Sequence, residues 1–206
     1  MIHKADIFDL FPTPVYSSVF PRNFSKEEIE FAQSVETYNN IGNLTSVDRN
    51  ILDQVIFQEI KTHLEQLIQQ YVNVIINPVN DINIYITQSW INVSYSGQYH
   101  HKHNHPNSIL SGILYLNASE DKDRIYFYND MYRQIRIDSK ELNTWNSDAW
   151  WLKAGTGKIF IFPSHFSHAV APVLEDTTRT ARISLSFNTF LKGAIGNNEL
   201  LFGLDL

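Results

Sequence analysis

Cysteine is absent from this 206-residue chain, which excludes a disulfide framework, a zinc ribbon and thiol catalysis. Basic residues are in deficit: 16 Lys and Arg face 22 Asp and Glu, a formal net charge of −6 with histidine neutral. A sequence-independent hold on nucleic acid needs a dense basic face to neutralise phosphates, so such a partner is disfavoured. Long apolar runs are missing as well. Stretches such as Val74-Ile75-Ile76 fall far short of the roughly 20 residues that cross a bilayer, so no membrane partner is expected. The opening MIHKADIFDL has neither the apolar stretch nor the cleavage pattern of a signal peptide. No repeat, low-complexity tract or linker divides the chain. The expectation is a soluble, cytoplasmic protein whose residues 1–206 form one domain.

What is present is enough to build a core: 43% of residues are apolar and 13% aromatic. The first third reads helical. Ser25 followed by Glu28 has the capping-box spacing, and Ile29, Ala32 and Val35 then share one face. Leu52, Val55, Ile60, Leu64, Leu67, Tyr71 and Ile75 recur at spacings of three to five, which predicts a second, longer helix ended at Asn77-Pro78. This helical part covers about 25–76. After Pro78 come short segments rich in Ile, Val, Tyr and Phe, set apart by Gly, Pro, Asn and Asp: 83–95, 109–117, 124–128, 132–137, 158–162, 166–171 and 182–190. Their number and spacing predict a β core over about 83–190, as a sandwich, barrel or jelly roll with helices outside it. Residues 138–157 read as an insertion carrying Trp145, Trp150 and Trp151. It serves either as a lid or a substrate wall or, by slight preference, as packing for Trp150 and Trp151 against the N-terminal helices.

Histidine is distributed unevenly. Six of the eight occur as His100, His101, His103 and His105, then His165 and His168. His103 and His105 are two apart, so in an extended chain their rings point to the same side. One strand end can thereby offer two ligands to one metal, with His168 the best third. Three protein ligands leave coordination positions open, as in a catalytic ion rather than a structural one. The competing reading of each histidine by itself is an ordinary surface or core residue.

At these residues the sequence resembles the iron(II)/2-oxoglutarate-dependent oxygenases, in particular a short group with H-x-H-P followed by S-G-x-x-Y. Those segments are His103-Asn104-His105-Pro106 and Ser111-Gly112-Ile113-Leu114-Tyr115 here. Further matches are Leu10-Phe11-Pro12-Thr13-Pro14, Trp90-Ile91-Asn92-Val93 and the run from Gly157 to Ser164. His168-Ala169-Val170-Ala171-Pro172 and the run from Arg182 to Asn188 complete the set. The resemblance covers most of the chain in the expected order. It implies a mainly β fold with N-terminal helices, a cupin-like double-stranded β-helix (jelly roll) with iron at its open end. It assigns His103, His105 and His168 as metal ligands and catalytic residues. Tyr115, Arg182 and Ser184 it assigns to 2-oxoglutarate, with Arg182 on the distal carboxylate. The implied activity is an Fe(II)- and 2-oxoglutarate-dependent dioxygenase that uses molecular oxygen, hydroxylates an unidentified small-molecule or protein substrate, and releases succinate and carbon dioxide. One departure stands out. The usual facial triad is two His and one carboxylate, whereas position 105 is His and the next acidic residue after His103 is Glu120. A three-imidazole site lacks that ligand charge, with consequences for its hold on the cation and its redox tuning.

The strand patterns agree with these roles. Arg182, Ser184, Ser186 and Asn188 share one side of the last strand. Ser111 and Tyr115 share a side of theirs, as do Trp90, Asn92 and Ser94. Each polar side could equally be a solvated sheet face. A guanidinium gives the planar, bidentate grip a carboxylate needs, and Arg182 is preferred to Arg179 for its register with Ser184. His100, His101, His165, Asn92, Tyr128, Asp130 and Tyr132 remain unassigned. Two alternatives stay open: a three-His, cupin-like metal dioxygenase that uses no 2-oxoglutarate, and a non-catalytic metal- or ligand-binding jelly roll. A dicarboxylate clamp is required only by the first reading.

Overall fold

The computed structural model describes residues 6–131, 135, 137–175, 181–196 and 202–206. β1 (Tyr16–Val19) leads to α1 (Lys26–Ser34), which begins as the capping box requires. The Glu28 backbone N–H donates to Ser25 Oγ, and the Ser25 N–H donates to the Glu28 carboxylate. Two short strands, β2 (Thr37–Asn39) and β3 (Leu44–Ser46), follow. The second helix differs from its expected course. Residues Ile51–Asp53 and Val55–Phe57 form 3₁₀ turns, and α2 occupies Gln58–Tyr71. The Asp53 and Phe57 amides bond to carbonyls three residues back, tightening the chain there and leaving Val55 exposed. A π-helical turn, Val72–Ile76, ends on Asn77 in the left-handed region at φ 47°.

The β core comprises β4 (Ile82–Ser94), β5 (His100–His103), β6 (Leu110–Asn117), β7 (Arg124–Tyr128), β8 (Ala149–Lys153), β9 (Lys158–Pro163), β10 (His168–Val170), β11 (Arg182–Ile195) and β12 (Leu204–Asp205). The strands pair into two antiparallel sheets. The larger runs β1-β9-β6-β11-β4-β3-β2, with β12 on β11, and the smaller runs β5-β10-β7-β8. This is the mainly β architecture that the patterning implied, in the jelly-roll form that the family resemblance implied. The segment 132–137, read as a strand, lies largely outside the described residues. Among strands the sequence reading did not separate, β8 corrects the reading of the Trp insertion. Trp150 and Trp151 pair with Phe127 and Tyr126 in the smaller sheet and are 40% and 43% exposed, away from the helices.

Two apolar clusters separate by face. Ile91, Val93, Leu114, Ile159, Ile161, Ile183, Leu185 and Phe187 turn outward against Ile60, Leu64, Ile68 and Tyr71 of α2. Ile113, Tyr115, Phe160 and Phe162 turn inward to meet Ile125, Phe127 and Val170 of the smaller sheet. The period-two alternation of β6 and β11 makes this division, since consecutive side chains must face opposite layers. Gly112 has a steric reason: a Cβ there would lie 2.1 Å from the buried Phe187 ring.

Candidate metal centre and its arginine end

β5 and β10 are neighbours in the smaller sheet, and His103 lies directly opposite His168. His105 follows β5 in a loop held by its backbone N–H donating to the Ser164 carbonyl at 2.9 Å. The three rings converge. Ring centres are 4.3 Å apart for His103–His168, 4.9 Å for His103–His105 and 5.2 Å for His105–His168. One ring nitrogen from each lies within 4.8 Å of the others.

The free nitrogens are set by backbone carbonyls. His103 Nδ1 is 2.7 Å from the His101 carbonyl, and His168 Nδ1 is 3.0 Å from that of Phe166. A carbonyl only accepts, so each Nδ1 carries the proton and Nε2 keeps its lone pair, the arrangement in which a ligating histidine is held by its other ring nitrogen. His105 Nε2 stands 3.4 Å from His168 Nε2, a contact satisfied by a proton on His105 or by a shared cation. Two nitrogens about 2.1 Å from one ion stand roughly 3–3.4 Å apart, so the spacing fits. Imidazole sets suit iron, zinc, copper and nickel rather than magnesium or calcium.

Burial keeps the trio neutral, as ligation requires. Desolvation, then the neighbouring His103, pushes His105 down to about 4. Desolvation also lowers His103 and holds His168 well below its ordinary value. Phe162 and Phe127 enclose His168, and Trp90 lies against His105 at 5.7 Å. A cavity of about 20 Å³ opens between the trio and Trp90, His100, Ile113, Ile125, Val170 and Ser186, room for an ion or a water.

His100, left unassigned on sequence grounds, therefore borders the centre. Its ring stacks on His103 at 4.5 Å, and its Nδ1 is 3.4 Å from the Asn43 amide. His100, His101 and His103 form a second group of possible ligands that shares His103. His165 is exposed and outside the cluster. Asp130 is engaged at the surface by Lys102, whose ammonium also lies over the Tyr128 ring at 4.6 Å. Arg179 and Tyr132 lie outside the described residues.

The polar faces of three strands meet inside the barrel. Ser184 of β11 is opposite Tyr115 of β6 on one side and Asn92 of β4 on the other, and Arg182 is opposite Ser94. Asn92 donates to Ser186 Oγ at 3.1 Å, while its Oδ1 is buried with no hydrogen-bond partner. The Tyr115 hydroxyl is likewise buried without a partner. Burial raises its pKa, a shift opposed by the nearby Arg182. Arg182, only 3% exposed, bonds through Nη1 to Asp123 Oδ1 at 3.1 Å and to the Ala171 carbonyl at 2.8 Å. Asp123 had no signature in the sequence, because it sits in the loop between β6 and β7 where no periodicity operates. The Tyr115 hydroxyl, within reach of the Arg182 charge, is a buried donor still lacking an acceptor, and leaving such a group unmade costs about 1–3 kcal/mol. The residues present fit both a divalent metal and an oxygen-rich anion.

Residues 88–188 match the family model described as "Putative 2OG-Fe(II) oxygenase". No curated protein matches the chain. Among solved structures, a prolyl-4-hydroxylase from Pseudomonas putida is 14% identical, with 87% of this chain and 95% of that chain covered at a TM-score of 0.52. A prolyl hydroxylase from Trichoplax adhaerens, in complex with a hypoxia inducible factor oxygen degradation domain peptide fragment, is 13% identical, with 85% and 83% covered at 0.57. HygX from Streptomyces hygroscopicus, with nickel and 2-oxoglutarate bound, is 7% identical, with 86% and 82% covered at 0.60. These likenesses establish the shared fold. The matched segment, just under half of the chain, holds the whole imidazole trio with Tyr115, Arg182 and Ser184, and over it the chain is similar to the 2OG-Fe(II) oxygenases.

Proposed function

We propose that His103, His105 and His168 hold iron(II), and that Tyr115, Arg182 and Ser184 receive the far carboxylate of 2-oxoglutarate, with residues 1–206 acting as one jelly-roll domain. The observation that carries this reading is the convergence of three neutral imidazoles, two with Nε2 freed by a carbonyl on Nδ1, at one end of a cavity. Iron with 2-oxoglutarate, when bound, supplies oxidative decarboxylation to succinate and carbon dioxide coupled to hydroxylation of a substrate by molecular oxygen. The chain's own residues do the rest. Burial keeps the three rings neutral at neutral pH, so each can offer a nitrogen lone pair. Arg182, anchored by the Ala171 carbonyl, keeps its charge within reach of Tyr115, whose hydroxyl would donate to the carboxylate. Ile113, Ile125 and Val170 give an apolar wall that excludes water around the methylene chain.

Anaerobic addition of 2-oxoglutarate to the iron(II)-loaded protein is expected to produce a charge-transfer absorption band. Arg182→Ala should abolish or greatly weaken it, and succinate release in a screen of small molecules and peptides would identify the substrate. No band and no binding by the wild type would overturn the reading. One observation favours a metal dioxygenase that uses no 2-oxo acid: Arg182 already has a carboxylate partner in Asp123. Metal binding without 2-oxoglutarate binding is the outcome that reading expects.

A further inference from the structure

The inner face of the larger sheet continues past the imidazole trio to the edge of the sheet. Trp90 and Asn92 are two apart on β4 and share that face, Thr45 of β3 is opposite Asn92, and Tyr38 of β2 is opposite Thr45. The row runs from the cavity wall, where Trp90 lies against His105, to the edge strand, where Tyr38 is 44% exposed. Arg49, just beyond β3, joins its two ends. Its guanidinium lies 5.6 Å from the centre of the Trp90 ring and 5.5 Å from that of Tyr38, and one N–H donates to the Tyr38 hydroxyl. The backbone there is fixed to the sheet, since the Arg49 carbonyl accepts the Ser89 N–H at 2.7 Å.

No carboxylate answers this half-buried charge. Among the described residues, Arg22 pairs with Glu28 and Glu59, Arg182 with Asp123, and Arg124 donates to the carbonyls of Glu120, Asp121 and Asp123. The Asp48 carboxylate, next to Arg49 in the chain, is taken by the Asn50 N–H and the Gln54 amide. Stacking on aromatic rings engages the flat face of a guanidinium and leaves its N–H edge for an acceptor. The Tyr38 oxygen accepts from Arg49 and keeps its own O–H to donate. Thr45, between Tyr38 and Asn92 on the same face, is 2% exposed with its hydroxyl unpartnered.

We propose that Arg49 and Tyr38 together bind an oxyanion of the substrate, a carboxylate or a phosphate, so that the site acts on acids rather than on neutral or cationic compounds. The two donors share one acceptor position one indole ring away from His105, and Trp90 is the wall common to both. Charge-assisted bonds of this kind are about twice as strong as neutral ones, which separates an acid from its uncharged isostere. The inference rests on the reading of the trio as a metal centre, beside which the held substrate would lie.

Proton–nitrogen NMR of the arginine side chains and tryptophan indoles in the zinc(II)-loaded protein tests it, with inorganic sulfate as the probe and chloride at equal ionic strength as the control. The Arg49 Nε–H signal, identified by its loss in Arg49→Lys, should shift saturably with sulfate and not with chloride, with the Trp90 indole following it. Tyr38→Phe should weaken sulfate several-fold. An Arg49 signal that ignores sulfate, or answers chloride equally, marks a guanidinium that only stacks and overturns the inference. In the succinate-release screen, acids should exceed their own amides or dephosphorylated forms by about tenfold or more in kcat/KM, and Arg49→Gln should erase that difference through KM. Substrates indifferent to that charge overturn the inference and leave the proposed function standing. Histidine ring signals that zinc leaves unmoved overturn the metal reading, and with it the assignment of the oxyanion to a substrate.

Discussion

At the scale of single residues, the proposed centre depends on three rings that burial keeps neutral and the strands bring together. His168→Ala should reduce bound iron or nickel after dialysis to near background by elemental analysis. Retention of the wild-type metal content would remove His168 from the centre. The same neutrality makes the metal-free protein sensitive to acid. A buried histidine whose folded pKa lies below its unfolded value of about 6.5 takes up its proton more readily when unfolded. Its contribution to stability is therefore complete above about pH 6.5 and is lost as pH falls towards the folded value, about 4 for His105 and about 2 for His100. Each such ring costs up to about 1.4 kcal/mol per pH unit in that window. Urea midpoints should thus fall steeply between pH 7 and pH 5, and a flat profile would contradict the burial of these rings. The H-x-H spacing was readable in advance, because two residues apart in an extended chain means one side. Asp123 was not readable, since its importance comes from a contact with Arg182 across 59 residues.

At the scale of elements, strand and helix interiors followed their periods, while short edges did not announce themselves. β7 occupies Arg124–Tyr128 as patterned, because alternating buried and half-buried side chains leave a clear signature. β2, β3 and β5 are only three or four residues long, too short for alternation to be distinguished from a loop. β5 matters most, since it carries His103 into place. The helix α1 rests on its cap: Ser25→Ala should cost about 1 kcal/mol in chemical denaturation by leaving the Glu28 N–H without its acceptor. The Ser-Gly pair of β6 has a different basis. Gly112→Ala would drive a methyl into the Phe187 ring and should destabilise the protein by about 1–3 kcal/mol. Wild-type stability in that variant would mean that the two sheet strands do not approach as closely as described.

At the scale of the whole molecule, the larger sheet acts as a partition. Its outer face is sealed by α2, and its inner face, with the smaller sheet, encloses a polar stripe and the imidazole trio. A metal that binds the folded state alone stabilises the entire barrel, by about 2.7 kcal/mol at a hundredfold excess over its dissociation constant. Nickel(II) should therefore raise the melting temperature of the wild type and leave that of His168→Ala unchanged. No helix among the described residues is long and apolar enough to cross a membrane.

By itself the sequence determined what depends on near neighbours: the capping box at Ser25, the apolar stripe of α2, the in-out alternation of β4, β6 and β11, and the pairing of His103 with His105 on one side. Its ordered motifs also pointed to the family. Only the tertiary structure decided which distant groups meet. His168 reaches the other two rings because β10 pairs with β5, His100 joins the cavity wall by the same pairing, and Arg182 finds Asp123 across the interior. The reason is physical: periodicity records which face a side chain takes, whereas convergence depends on how two sheets are registered and closed, a property distributed over the whole chain.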